Sequence, residues 1–285
     1  MRDFSSDHRW LSLNTATVRK QGDLVEIIDA CAKHGIRAID PWRDQVAAVG
    51  LDRAARAVRD AGLELSGYCR GGMFTSDASR RTEVRDDNRR CVDEAKALGA
   101  SCIVLVVGGL PQYSRPGSEA SKDIVAARGQ VEEALAEMLD YAKQAKLPLA
   151  IEPLHPMYAD SRSAINTLAQ ANDLALAIGS DYVGVAVDVY HLWWDPALES
   201  EILRAGRAGK LFAYHVCDWK TPTEDLLLDR GLPGEGCIPL RSIRGWVEAA
   251  GFRGFNEVEI FSKLHWQSEQ TAYLDRIVQA YRDHV

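Results

Sequence analysis

The chain has 285 residues, 46% of them apolar and 26% charged, with a net charge of -7. That is enough material for a sizeable core in one domain of α/β-barrel size. The acidic surface disfavours a phosphate backbone as partner, and no apolar run approaches the roughly 18 residues of a membrane span, so nucleic acid and the bilayer are set aside.

The first ten residues are polar and lack the long apolar stretch of a secretion signal. Cys31, Cys69, Cys91, Cys102, Cys217 and Cys237 are scattered without a C-x-x-C pair, which reads as free thiols in a reducing cytoplasm.

Short β-like runs alternate with longer amphipathic ones from end to end. In chain order the pattern predicts strand 10–13, helix 24–34, strand 36–39, helix 46–61, strand 64–68, helix 81–98, strand 102–107 and helix 125–146. It continues with strand 149–152, helix 163–178, strand 183–188, strand 211–216, helix 239–250, strand 257–261 and helix 271–284. Gly35, Gly62, Gly99 and Gly179 each follow a helical stretch, where glycine ends a helix in the left-handed conformation. Eight strands in alternation with helices predict an α/β fold, a (β/α)8 TIM barrel formed as a single domain over 1–285, in preference to an open doubly wound sheet.

In such a barrel the residues at the C-terminal strand ends point into the active-site mouth. Four consecutive strands end in metal-competent side chains: Glu152, Asp188, His215 and Glu259. Alternation places Gly184, Ala186 and Asp188 on the inner face of their strand, opposite Val183, Val185 and Val187. The same parity places Leu211, Ala213 and His215 inside, opposite Phe212, Tyr214 and Val216. Glu257 and Glu259 share a face, and Glu259 is chosen because it lies nearer the mouth. Three carboxylates and an imidazole so gathered repel one another without a cation. An oxygen-rich set with one nitrogen suits a divalent ion, with Mn2+ expected first and Mg2+, Co2+ or Zn2+ as alternatives.

Around these residues the chain resembles the xylose isomerase-like TIM barrel superfamily of ketose 3-epimerases, hydroxypyruvate and inosose isomerases, inosose dehydratases and endonuclease IV. The matching stretches are Ile151-Glu152-Pro153-Leu154, Asp188-Val189-Tyr190-His191, His215-Val216-Cys217-Asp218 and Glu257-Val258-Glu259-Ile260. The resemblance implies that Glu152, Asp188, His215 and Glu259 hold one metal ion and that His191 stands beside the substrate.

Two departures from the family pattern are informative. The further histidines of endonuclease IV are absent, since the corresponding places read Tyr68-Cys69-Arg70, Val106-Val107-Gly108 and Asp229-Arg230-Gly231. Ketose 3-epimerases carry another glutamate after the fifth strand, where this chain has Tyr158.

The expected activity is a metal-dependent sugar isomerase or epimerase, with Glu152 and Glu259 exchanging a proton beside a metal-bound carbonyl of a keto-sugar or keto-polyol, assisted by His191. The alternative is a lyase or dehydratase on a 3-keto sugar or inosose, including carbon-glycoside cleavage with a partner subunit. An endonuclease IV-like phosphodiesterase and a non-catalytic metal-binding protein rank below both. Lys220 and Arg230 are candidate contacts for an anionic substrate group, against the alternative of solvated loop charges. His155, Trp193, Trp194, Trp42, Arg43 and Arg70 are candidate pocket lining or supports. The glycines between 231 and 236 read as a turn, not a phosphate cradle. A homo-oligomer or a second subunit is compatible with all of this.

Overall fold

The computed structural model describes residues 2–111 and 121–285. The chain opens with β1 (Leu11–Asn14), α1 (Leu24–Lys33), β2 (Ala38–Asp40), α2 (Arg43–Val49) and α3 (Leu51–Ala61). Next come β3 (Glu64–Leu65), β4 (Cys69–Gly72), α4 (Arg81–Leu98), β5 (Ile103–Val106), α5 (Ile124–Ala145), β6 (Leu149–Ile151) and α6 (Leu168–Ile178). The second half contains β7 (Val183–Asp188), α7 (Val189–Leu192), α8 (Leu198–Arg207), β8 (Leu211–Val216), β9 (Asp218–Trp219), β10 (Arg230–Gly231), α9 (Leu240–Ala249), β11 (Asn256–Val258) and α10 (Gln270–His284).

Among the described residues nine strands form one sheet in the order β3-β2-β1-β11-β8-β7-β6-β5-β4, and every neighbouring pair is parallel. The two ends of that order meet, because Trp42, just past β2, bridges Cys69 at the start of β4. The sheet therefore curls into the TIM barrel that the alternation predicts, with β3 and β4 as two pieces of its third strand. The predicted strand 64–68 is broken there. Gly67 lies against the Asp40 carboxylate where no Cβ fits, so the pairing lapses as the backbone closes on Asp40.

Other elements also differ from the sequence pattern. The predicted helix 46–61 is two helices hinged at Gly50, whose φ is 88°. The predicted helix 163–178 begins only at Leu168, where the Thr167 hydroxyl accepts from Gln170 N at 3.2 Å. Helix α8, absent from the predicted elements, supplies the helix between the sixth and seventh barrel strands.

The core has two layers. A large one lies between sheet and helices and takes Val183, Val185 and Val187 on its sheet side. A small one fills the barrel with Cys69, Cys102, Val104, Ala150, Ala186 and Ala213. On β8 the simple alternation fails: Val185 pairs with Leu211 but Ala186 with Ala213, so Phe212 is an extra, bulged residue. Leu211 therefore packs on the outer layer and Phe212 on the inner one, the reverse of the parity expectation, while Ala213 and His215 remain inside. Gly184 makes room for that ring, since a Cβ there would stand 2.6 Å from Phe212 Cε2. Among the described residues no helix is long and apolar enough to cross a membrane.

Candidate metal centre

Asp188 is the last residue of β7 and also the N-cap of α7, with Oδ1 accepting from Tyr190 N at 2.8 Å. One carboxylate oxygen thus fixes the strand-to-helix turn and the other faces the barrel mouth. His215 pairs with Asp188 across β7 and β8, Glu152 follows β6, and Glu259 follows β11. One ligand atom from each of the four lies within 4.8 Å of all the others, and all four residues are buried.

Glu152 Oε1 and His215 Nδ1 stand 3.0 Å apart, an ion pair when the imidazole is protonated, and both are buried without a hydrogen bond among the described residues. Buried polar atoms without a hydrogen bond are costly. Three carboxylates and one imidazole, with two donor atoms unsatisfied and converging, fit a divalent cation, so the residues present match the metal that the sequence implies. Burial opposes protonation of His215, but Glu257, Glu152 and Glu259 raise its pKa well above the ordinary value. Burial raises Glu259 to about 8, against the pull of Arg230 and with Glu152 and Asp188 adding to the rise.

Arg230 enters this cluster from the loop after β8. The loop folds back as the antiparallel pair β9 and β10, and Arg230 N donates to Phe261 O at 3.0 Å. Its Nη1 donates to Asp188 Oδ2 at 2.9 Å and to Glu259 Oε2 at 3.0 Å, with the guanidinium 4.4 Å from the Tyr190 ring centroid. This arginine is 3% exposed, so the reading of a solvated loop charge is overturned. Nη2 lies 3.1 Å from His191 Nε2. Guanidinium only donates, so Nε2 accepts and the imidazole proton sits on Nδ1, which is buried and has no partner. Burial holds His191 down to about 3 despite the pull of Asp188, so the ring is neutral.

The same loop is tied down by two tyrosines: Tyr158 Oη and Tyr190 Oη both donate to Leu226 O, at 2.6 and 3.0 Å. The stretch 231–236 is a turn gathered on the Asp218 carboxylate, which accepts from Gly234 N and Ile238 N at 2.9 Å each.

Glu152, Glu259, His191 and Arg230 line one cavity together with Trp42, Arg70, Arg162 and Phe261. Trp42 is fixed by Nε1 donating to Asn14 Oδ1 at 2.7 Å. Other candidates lie away from it. Lys220 is ion-paired to Asp229, and Arg43 to Asp87 and Glu94 at 2.9 and 2.8 Å. His155 stacks on Trp219 at 5.6 Å, Trp193 packs against the same ring at 5.6 Å, and Trp194 Nε1 donates to His191 O at 2.8 Å. These aromatic residues brace the loops behind His191.

Sequence reading passed over Arg162, which carries no local signal in its loop. It also left Glu257 aside, although that residue shares the inward face of Glu259. Glu257 Oε1 lies 3.6 Å from His215 Nε2 and accepts from Asn14 Nδ2 at 2.9 Å, while Ser66 Oγ holds its other oxygen at 2.8 Å. Asp40 and Cys69 complete this buried layer beneath the four ligands, and burial followed by Glu257 raises the Asp40 pKa well above the usual value.

A family model, the xylose isomerase-like TIM barrel, matches residues 28–277. The chain belongs to the xylose isomerase-like TIM barrel family. The chain is 27% identical to an inosose isomerase of Bacillus velezensis over 272 residues, 90% of each chain. The crystal structure of protein SMc04130 from Sinorhizobium meliloti 1021 is 53% identical, covers 96% of this chain and 98% of that one, and superposes with a TM-score of 0.91. The IOLI protein, solved with a binding zinc atom, shares the fold at 21% identity and a TM-score of 0.79, covering 96% of both chains.

Proposed function

We propose that this chain is a divalent-metal-dependent isomerase or epimerase of a keto-sugar or keto-polyol. The observation that carries the reading is the convergence of Glu152, Asp188, His215 and Glu259 within 4.8 Å, with Glu152 Oε1 and His215 Nδ1 left without a hydrogen bond. The zinc of the IOLI protein and the activity named for the Bacillus relative support it. Manganese is the expected ion, with magnesium, cobalt and zinc as alternatives.

A divalent ion held by those four residues supplies Lewis acidity to a neighbouring carbonyl and favours loss of the adjacent proton. Glu152 and Glu259 come from strand ends separated by β7 and β8 around the barrel, so they approach a substrate from two sides. One carboxylate removes the proton. Return by the other to the opposite face gives epimerisation, and return to the neighbouring carbon gives isomerisation. His191 offers its Nδ1 proton to a substrate oxygen, held in that tautomer by Arg230. Trp42, Leu154, Leu227 and Phe261 supply apolar walls that exclude water.

A second reading, elimination from a 3-keto sugar or inosose, is favoured by one observation. Where the resemblance to ketose 3-epimerases implies a glutamate this chain has Tyr158, and its hydroxyl is committed to Leu226 O.

The test is incubation of the manganese-loaded protein in heavy water with ketoses, inososes and 3-keto glucosides. Deuterium entering at carbon, abolished by a chelator and by Glu152→Gln, supports proton abstraction. Absence of exchange across the panel counts against it, and loss of a β-substituent selects elimination.

A further inference from the structure

Several of the partly or fully buried arginines of this protein have a carboxylate. Arg2 pairs with Glu248 at 2.6 Å, Arg43 with Asp87 and Glu94, and Arg230 with Asp188 and Glu259. Arg70 and Arg162 do not, and both line the cavity beside Glu152 and Glu259. Among the described residues neither side chain has an ion pair or a hydrogen bond, and Arg70 Nη1 is buried with no partner. Each lies near an aromatic ring, Arg70 at 5.9 Å from Trp42 and Arg162 at 5.5 Å from Tyr158. Such a contact only partly offsets the removal of a guanidinium from water. Burial, and then the neighbouring Arg162, lower the Arg70 pKa from its usual value.

The charges around the cavity sharpen the point. Arg230 answers Asp188 and Glu259 directly, whereas no carboxylate among the described residues lies within ion-pair distance of Arg70 or Arg162, so neither guanidinium is neutralised by a contact within the cavity. Arg70 comes from β4 and Arg162 from the loop after β6, and they line the same space as Glu152 and Glu259.

We propose that the substrate carries an anionic group, a carboxylate or a phosphate, and that Arg70 and Arg162 bind it while the reacting end lies at the four ligands. This rests on the reading of the site as a metal-dependent isomerase or epimerase. Two guanidiniums converging on one anion supply the charge-assisted hydrogen bonds that recognise such groups.

The experiment measures binding by calorimetry, with and without manganese, for matched sets: D-fructose against D-fructose 6-phosphate and 5-keto-D-gluconate, and D-glucose against D-glucose 6-phosphate and D-glucuronate. The expected result is tighter binding of an anionic member than of its neutral counterpart, by about 10- to 100-fold. The phosphate and carboxylate arms tell which anion is taken. Arg70→Gln and Arg162→Gln are each expected to lose most of that preference while still binding manganese. Equal affinity for neutral and anionic members, no binding of any anionic member, or a preference that survives in both variants overturns the proposal. Anion preference without deuterium exchange leaves this inference standing and removes the isomerase reading. Exchange on neutral sugars without anion preference does the opposite.

Discussion

Arg230 Nη1 donates to Asp188 Oδ2 at 2.9 Å, joining a loop arginine to a strand-end carboxylate 42 residues earlier. Both groups are buried, so each depends on the other for its charge balance. Arg230→Gln leaves Asp188 and Glu259 facing Glu152 with only His215 as a cationic neighbour. The metal-free variant is expected to lose about 3–5 kcal/mol of stability, the range found when one partner of a buried pair is removed. Because a divalent ion then relieves more repulsion than in the parent, the rise in Tm on adding manganese should be larger in the variant. Parallel melts with and without metal check this, and an equal or smaller rise contradicts it.

Glu257 does not line the cavity, yet its Oε1 lies 3.6 Å from His215 Nε2 on the side away from Glu152. A carboxylate in that place orients the imidazole and raises its basicity as a ligand. Glu257→Gln keeps the shape and removes the charge. Manganese affinity is expected to fall about 10- to 100-fold, as for other partners of ligating histidines. The amide oxygen can still accept from Asn14 Nδ2 and the amide nitrogen can donate to Ser66 Oγ, so the fold should persist. Metal titration by calorimetry reads the first effect and circular dichroism the second. Unchanged affinity in a folded variant assigns Glu257 a packing role only.

The barrel was legible because parallel strands write themselves as short apolar runs separated by amphipathic helices, and Val183–Asp188 shows this with its valines outward and Asp188 at the mouth. His215 was placed inward by the same parity, although the bulge at Phe212 reverses the two residues below it. Bulges are set by packing between strands, here by the space above Gly184, and leave no trace in alternation. Arg230 and Arg162 were harder for a related reason. A loop residue carries no period, so whether it is solvated or turned into the site depends on contacts such as those of Tyr158 and Tyr190 with Leu226.

Metal uptake should depend on pH in a stated direction. In the metal-free chain burial raises Glu259 to about 8, and the surrounding carboxylates raise His215 well above its ordinary value. Both groups bind the metal only without their protons. Protons therefore compete with the ion, and affinity is expected to fall as pH drops through about 8, by up to roughly tenfold per unit for each proton displaced. Calorimetry between about pH 6 and 9, repeated in buffers of different protonation enthalpy, counts the protons released. An affinity constant over that range, with no proton release, is the contrary outcome.

The inner face of the barrel offers a test of the fold that is independent of chemistry. At Gly184 a Cβ would stand 2.6 Å from Phe212 Cε2, closer than carbon atoms pack, and it would also meet the backbone at Lys210. Gly184→Ala is expected to cost about 1–3 kcal/mol through overpacking. Part of that strain comes from the ring and part from the main chain. Phe212→Ala alone opens space and is itself destabilising. Combined with Gly184→Ala, it removes the ring contact but not the contact at Lys210, so the double variant should be more stable than the sum of the single losses. A denaturation cycle over the four proteins measures that coupling. Strict additivity would mean that Phe212 does not point into the barrel, and the bulge that places His215 over it would have to be redrawn.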